Sequence, residues 1–106
     1  MEYGTAEISN EANIKLMGER LSSIQYLIFT SIDDSDVPVW AREAMVHRDI
    51  TIDEDQPNKC FVHLTEEKTI TCNQGDVILY HDLFGLSVVS IDDFRELIEC
   101  RSIESN

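Results

Sequence analysis

Positive charge is scarce in this sequence: 106 residues hold eight Lys and Arg against twenty-one Asp and Glu, a formal net charge of −13. Proteins that grip DNA, RNA or anionic lipid do so through basic patches, so direct binding to any of these is disfavoured. Glycine and proline are also few, at four and two, and no linker, repeat or low-complexity tract is visible. No apolar run approaches the ~20 residues a membrane-spanning helix needs. Cys60, Cys72 and Cys100 are an odd, widely spaced set, unlike a disulfide framework. Met1–Asn10 is polar and acidic, the reverse of a secretory leader. Together these absences predict a cytoplasmic protein in a reducing compartment, with free thiols in its core.

What is present points to one folded domain over residues 1–106, frayed at 1–8 and 102–106. A chain of this length buries roughly two-thirds of the surface its unfolded form exposes. An apolar share of 42% is enough to fill a core, unlike the composition of a disordered acidic chain. The charge is uneven. Residues 1–32 carry −2, residues 33–59 carry −5 and residues 60–106 carry −6.

Ile14, Met17, Leu21 and Ile24 recur at helical spacing, which predicts a helix over residues 10–24 capped by Ser9 or Asn10. Gln25–Ile32 is short, aromatic and β-branched, and it ends at the turn-forming Asp33-Asp34-Ser35-Asp36, as a strand would. Val39–Val46 is ambiguous: neither alternating face is cleanly apolar, and Ala-Arg-Glu-Ala-Met is good helix material. The preceding Val37-Pro38 favours a strand. Asp49–Lys59 reads as a polar connection. Cys60–Thr65, Lys68–Cys72, Asp76–His81 and Leu86–Val89 read as a four-strand meander, with Gly75 and Gly85 free to take positive φ in the turns. Ser90 can cap a last helix with Asp92 and Asp93 in its first turn, burying Ile91, Phe94, Leu97 and Ile98. The expected fold is α+β, an antiparallel meander with an N-terminal and a C-terminal helix.

Chemistry is hard to find in this layout. Cys60-x-x-His63 with Cys72 and His81 could be drawn as a zinc set, but structural zinc sites bring two close ligand pairs and only one is here. Cys60 and His63 also stand an odd number of residues apart on one strand, so they should face opposite ways. The acidic runs at Asp53 and Asp34 fail as calcium loops. Where a sixth-position Gly and a twelfth-position Glu are needed, they hold Asn58 and Leu64, or Val39 and Met45. Nucleophile elbows, phosphate loops and His-Glu-x-x-His are all missing. The sequence predicts no catalytic residues, no metal and no cofactor.

From Cys60 to Glu99 the order of pieces resembles small domains of bacteriophage accessory proteins. The matching features are Gly75-Asp76-Val77-Ile78, Gly85 before Leu86–Val89, and Asp93-Phe94-Arg95-Glu96-Leu97. The sequence departs from that family where Leu86 replaces its Glu and where no proline follows. The resemblance implies a phage origin, and so an inhibitor acting on host machinery in the host cytosol.

Composition and resemblance together predict a non-enzymatic acidic protein that inhibits a host defence or nucleic-acid-handling protein by occupying its basic surface. Carboxylates fixed on regular elements can imitate a duplex, which carries one charge per ~1.7 Å of axis. The candidate acidic face comprises Asp33, Asp34, Asp36, Asp53, Glu54, Asp55, Glu66, Glu67, Asp92, Asp93, Glu96 and Glu99. The alternative is a regulatory module that binds a protein through an apolar aromatic patch. Trp40 and Phe84 are its leading contacts, with Tyr26 and Phe29 as further aromatic candidates.

Overall fold

Val77-Ile78-Leu79, an uninterrupted apolar run, is buried on both faces of a central strand, and the rest of the molecule is layered around it. The computed structural model describes residues 2–7, 23–30, 37–56, 58–82 and 85–104, with side chains placed for all of these except Glu2 and residues 99–104. The described elements are β1 (Glu2–Glu7), β2 (Ser23–Ile28), α1 (Val39–Val46), β3 (Ile50–Ile52), β4 (Lys59–His63), β5 (Thr69–Asn73), β6 (Val77–His81), β7 (Gly85–Val89) and α2 (Ile91–Glu104). They form a mixed α+β fold with two antiparallel sheets. One is four-stranded in the order β1-β2-β6-β7, and the other is three-stranded in the order β3-β4-β5.

The four-stranded sheet is the middle layer. On one face, Ala6, Ile24, Val77 and Leu79 pack against Phe94 and Leu97 of α2. Tyr26 lies directly opposite Gly4 in the ladder and its ring meets that of Phe94 at 5.0 Å. On the other face, Leu27, Phe29 and Ile78 meet Ile50, Cys60, Val62 and Cys72 of the second sheet, and Ala41 and Ala44 of α1 close the space between. Strand periodicity explains the sorting: residues 77 and 79 face α2, while Ile78 and Tyr80 face the other way.

The helix α2 begins as its sequence predicts. The Ser90 hydroxyl accepts the Asp93 amide at 3.1 Å, satisfying one of the orphan donors of the first turn. Gly75 and Gly85 take φ of +95° and +76°, which side chains resist.

Other expectations are overturned. The first described element is the strand β1, not a helix, and it occupies most of the stretch expected to fray. Ser23 and Ile24 belong to β2, and the remainder of the helix expected over 10–24 lies outside the described residues. Val39–Val46 is helix, not strand. Pro38 fixes φ at −68° in extended backbone just ahead of it, and its carbonyl takes the Ala41 and Arg42 amides at 3.1 Å each, so the proline opens the helix and costs it no hydrogen bond. The connection at 49–59 contains the three-residue strand β3. Finally, the four C-terminal strands are not one meander. The chain changes sheets between β5 and β6, through Asn73-Gln74-Gly75-Asp76.

Candidate functional site

That sheet change defines two ends of the molecule. The Gly75 amide donates to the Phe29 carbonyl at 2.7 Å, Phe29 to Asp76 at 2.9 Å, and Gln74 to Asn58 at 2.9 Å. The end of β2, the start of β4 and the β5–β6 link therefore meet. Val77 pairs with Val89, which brings the β7–α2 junction to the same end. The β4–β5 and β6–β7 hairpins, one strand length away, mark the other.

Asp53, Glu54, Asp55, Asp76, Asp92 and Asp93 all fall at the first end. They come from the β3–β4 turn, the β5–β6 link and the first turn of α2. Several are held in place: Asp53 Oδ1 accepts the Asp55 amide at 3.0 Å, and Asp76 Oδ2 accepts the Asn73 amide at 2.9 Å. The Asp93 backbone is pinned by Ser90. Glu54, Asp55, Asp92 and Asp93 are exposed, while Asp53 and Asp76 are half-buried. The nearest bases along these stretches are Lys59 and Arg95.

The candidate acidic face is thus divided. Five of its members share this end, and Asp76, absent from the sequence-based set, joins them. The turn signal Asn73-Gln74-Gly75 immediately before Asp76 could have found it. Glu66 and Glu67 sit in the β4–β5 turn at the opposite end, so they belong to a different surface. Glu96 is exposed, one turn further along α2. Asp33, Asp34 and Asp36 lie outside the described residues, as does the side chain of Glu99.

Cys60 and Cys72 stand directly opposite each other in the β4–β5 ladder and are free, buried thiols. Their mutual hydrogen bond and burial push the Cys72 thiol far up, while the same bond, against burial, lowers that of Cys60. His63 faces the other side of the strand. Its two ring nitrogens lie 2.9 Å from the hydroxyls of Thr51 and Thr69. Cysteine and histidine therefore do not converge, and no group of three His, Cys, Asp or Glu among the described residues is arranged to hold a metal.

The second end holds a cleft of about 600 Å³. One wall is α1, with Trp40, Glu43 and Ala44 followed by His47 and Asp49. The others are the β4–β5 hairpin, with His63, Leu64, Thr65 and Lys68, and the β6–β7 strands, with Tyr80, Gly85 and Leu86. Trp40 and Tyr80 stack nearly parallel, 5.2 Å apart and 9° from coplanar. A hydrogen bond to Asp82 raises the Tyr80 phenol above its ordinary range, and the charges of Asp82 and Glu43 add to the effect.

The lip of the cleft is set by the end of α1. His47 donates to Glu43 at 2.9 Å, Arg48 to Met45 at 3.2 Å, and Asp49 to Ala44 at 2.8 Å. Arg48 takes φ of 64° to make this reversal. The Asp49 carbonyl then accepts the His63 amide at 2.8 Å, tying α1 to the second sheet.

Of the expected aromatic contacts, Trp40 lines this cleft and is half-buried. Phe84 lies outside the described residues. Phe29 is 2% exposed, and Tyr26 is half-buried with its ring against Phe94. Among the described residues the exposed large hydrophobic side chains are Tyr3 on β1, at 41%, and Val39 and Val46, at 71% and 75%. Seven residues apart on α1, the two valines share its outward face. Among the described residues no helix is long and apolar enough to cross a membrane. No protein-family model matches the chain, and no curated protein or solved structure is significantly similar to it.

Proposed function

We propose that the protein is a non-enzymatic acidic binding protein that takes a basic surface of a partner protein against the end formed by the β3–β4 turn, the β5–β6 link and the start of α2. The observation that supports this best is that Asp53, Glu54, Asp55, Asp76, Asp92 and Asp93, from three separate stretches, fall at one end of the molecule. Tight turns and a capped helix hold several of them. Surfaces that bind nucleic acid present Lys and Arg spaced to meet phosphates, and fixed carboxylates can occupy them in place of a duplex. A phage-type inhibitor of a host defence or nucleic-acid-handling protein is the use that fits both this arrangement and the resemblance over residues 60–99. Bare nucleic acid and anionic membrane remain unsuitable partners for a chain of this charge.

Competition with duplex DNA for a purified DNA-binding nuclease tests the proposal. Inhibition should weaken steeply between about 50 and 200 mM salt. Asp53→Asn/Glu54→Gln/Asp55→Asn should weaken it further at low salt while leaving the fold intact. Inhibition indifferent to both changes would rule out the electrostatic mechanism.

The exposed Val39 and Val46 support a second possibility, an apolar contact through α1. In that case Val46→Ser, and not neutralisation of the acidic end, would abolish partner binding.

A further inference from the structure

The cleft at the end away from the acidic turns has a chemistry of its own. Its lining carries Glu43 and Asp49 as anions and Lys68 as the one formal cation. Asp82 is outside this lining but close enough to Tyr80 to act on its phenol. We propose that this cleft is a binding site for a guanidinium group, held against the Trp40–Tyr80 stack and neutralised by Glu43 and Asp49. It goes beyond the partner surface proposed above and stands whether or not that surface is used.

Three features support the assignment. First, both rings of the stack line the cleft; each has one face against the other, and the outer face is the one whose negative quadrupole can attract a cation. Second, Glu43 lies three residues beyond Trp40 on α1, so the two are neighbours on the helix surface. Glu43 is also near enough to Tyr80 to act on its phenol. Third, neither Glu43 nor Asp49 forms an ion pair among the described residues, so both carboxylates are available to a ligand.

The sign and shape of the ligand follow. An anion would meet the carboxylates of Glu43 and Asp49 against the single ammonium of Lys68. A guanidinium is planar, stacks on aromatic faces and presents forked donors to a carboxylate; an ammonium does none of these as well. At about 600 Å³ the cleft also has space for the chain that carries the group. The source is either an arginine side chain in a protein or a free arginine derivative.

Trp40 is the only tryptophan in the chain, so its emission reports occupancy directly. The protein is titrated with N-acetyl-arginine amide, its uncharged isostere N-acetyl-citrulline amide, and the tripeptide Gly-Arg-Gly with blocked ends. The expected result is a saturable change with the arginine compounds and binding about tenfold weaker with citrulline, the loss of one charge-assisted contact. Glu43→Gln should weaken arginine binding several-fold and Lys68→Gln should tighten it. Asp53→Asn, at the far end, should leave it unchanged. Tighter binding of the tripeptide than of the amide assigns the site to arginine within a protein; equal binding assigns it to a small molecule. Equal binding of citrulline and arginine overturns the proposal, as does the absence of saturation at tens of millimolar. An Asp53→Asn loss as large as that of Glu43→Gln also overturns it, because it would mean diffuse attraction to a −13 chain.

Discussion

Arg48 ends α1 at φ 64°, a conformation in which a side chain crowds its own backbone. For an L-residue that costs about 1–2 kcal/mol, and glycine avoids it. Glycine in turn loses more freedom on folding, which returns about 0.4–1 kcal/mol of the advantage. Arg48→Gly should therefore stabilise the protein by about 0.5–1 kcal/mol. At about 2 cal/mol/K of unfolding entropy per residue, that raises Tm by about 2–5 °C. Thermal unfolding followed by circular dichroism measures it, and urea unfolding checks that the slope is unchanged. The substitution also removes a positive charge from a chain already at −13, so Arg48→Ala is the necessary control. Alanine makes the same charge change and keeps the strain, and its Tm should not rise. If glycine gives no gain, or alanine gains as much as glycine, the strain assigned to this turn is not there.

Other outcomes follow from the packing and the titrating groups. Phe94→Ala should cost about 3–4 kcal/mol, because it empties a site 4% exposed and strips Tyr26 of its ring partner; a lower urea midpoint reports it. In a Cys100→Ser background, a thiol reagent at mildly alkaline pH should label neither Cys60 nor Cys72 in the folded protein and both in denaturant, since both are buried. Tyr80 holds its proton more tightly folded than unfolded. Its contribution is therefore complete below its ordinary value of 10.0 and is lost as pH rises through the higher folded value. Tyr80→Phe should flatten that alkaline decline in stability, with the tyrosinate absorbance step moving accordingly.

The parts of the fold that sequence alone revealed are those in which local pattern and environment agree. Phe94, Leu97 and Ser90 place and cap α2 without ambiguity, and the strand runs from Cys60 to Val89 show their turns through Gly75 and Gly85. The segment 39–46 misled because Val39 and Val46 face outward. Apolar residues on both sides of a helix cancel the periodicity by which it is recognised. β3 was too short to register beside Asp49 and Asp53. The division into two sheets was invisible for a different reason: it is decided by pairings such as Leu27 with Ile78, which no local window contains. The same holds for the sites. The acidic residues could be named from sequence, but their sorting into two ends could not, and the cleft unites Trp40 of α1, Lys68 of the β4–β5 turn and Tyr80 of β6.

The crossing between sheets at Asn73–Asp76 also bears on how the protein is made. The small sheet and α1 are built from the continuous stretch 39–73, so every strand pairing of the small sheet is made within that stretch. The large sheet has no such stretch. Its first hairpin, β1–β2, must wait for β6 to arrive across the whole inserted module, with one edge of β2 unpaired throughout. Until β6 is made, that edge of β2 stays open and the core between the sheets lacks Ile78. At that stage the nascent chain is most exposed to misassociation, and Phe29, whose amide and carbonyl meet Asp76 and Gly75, lies where that exposure ends.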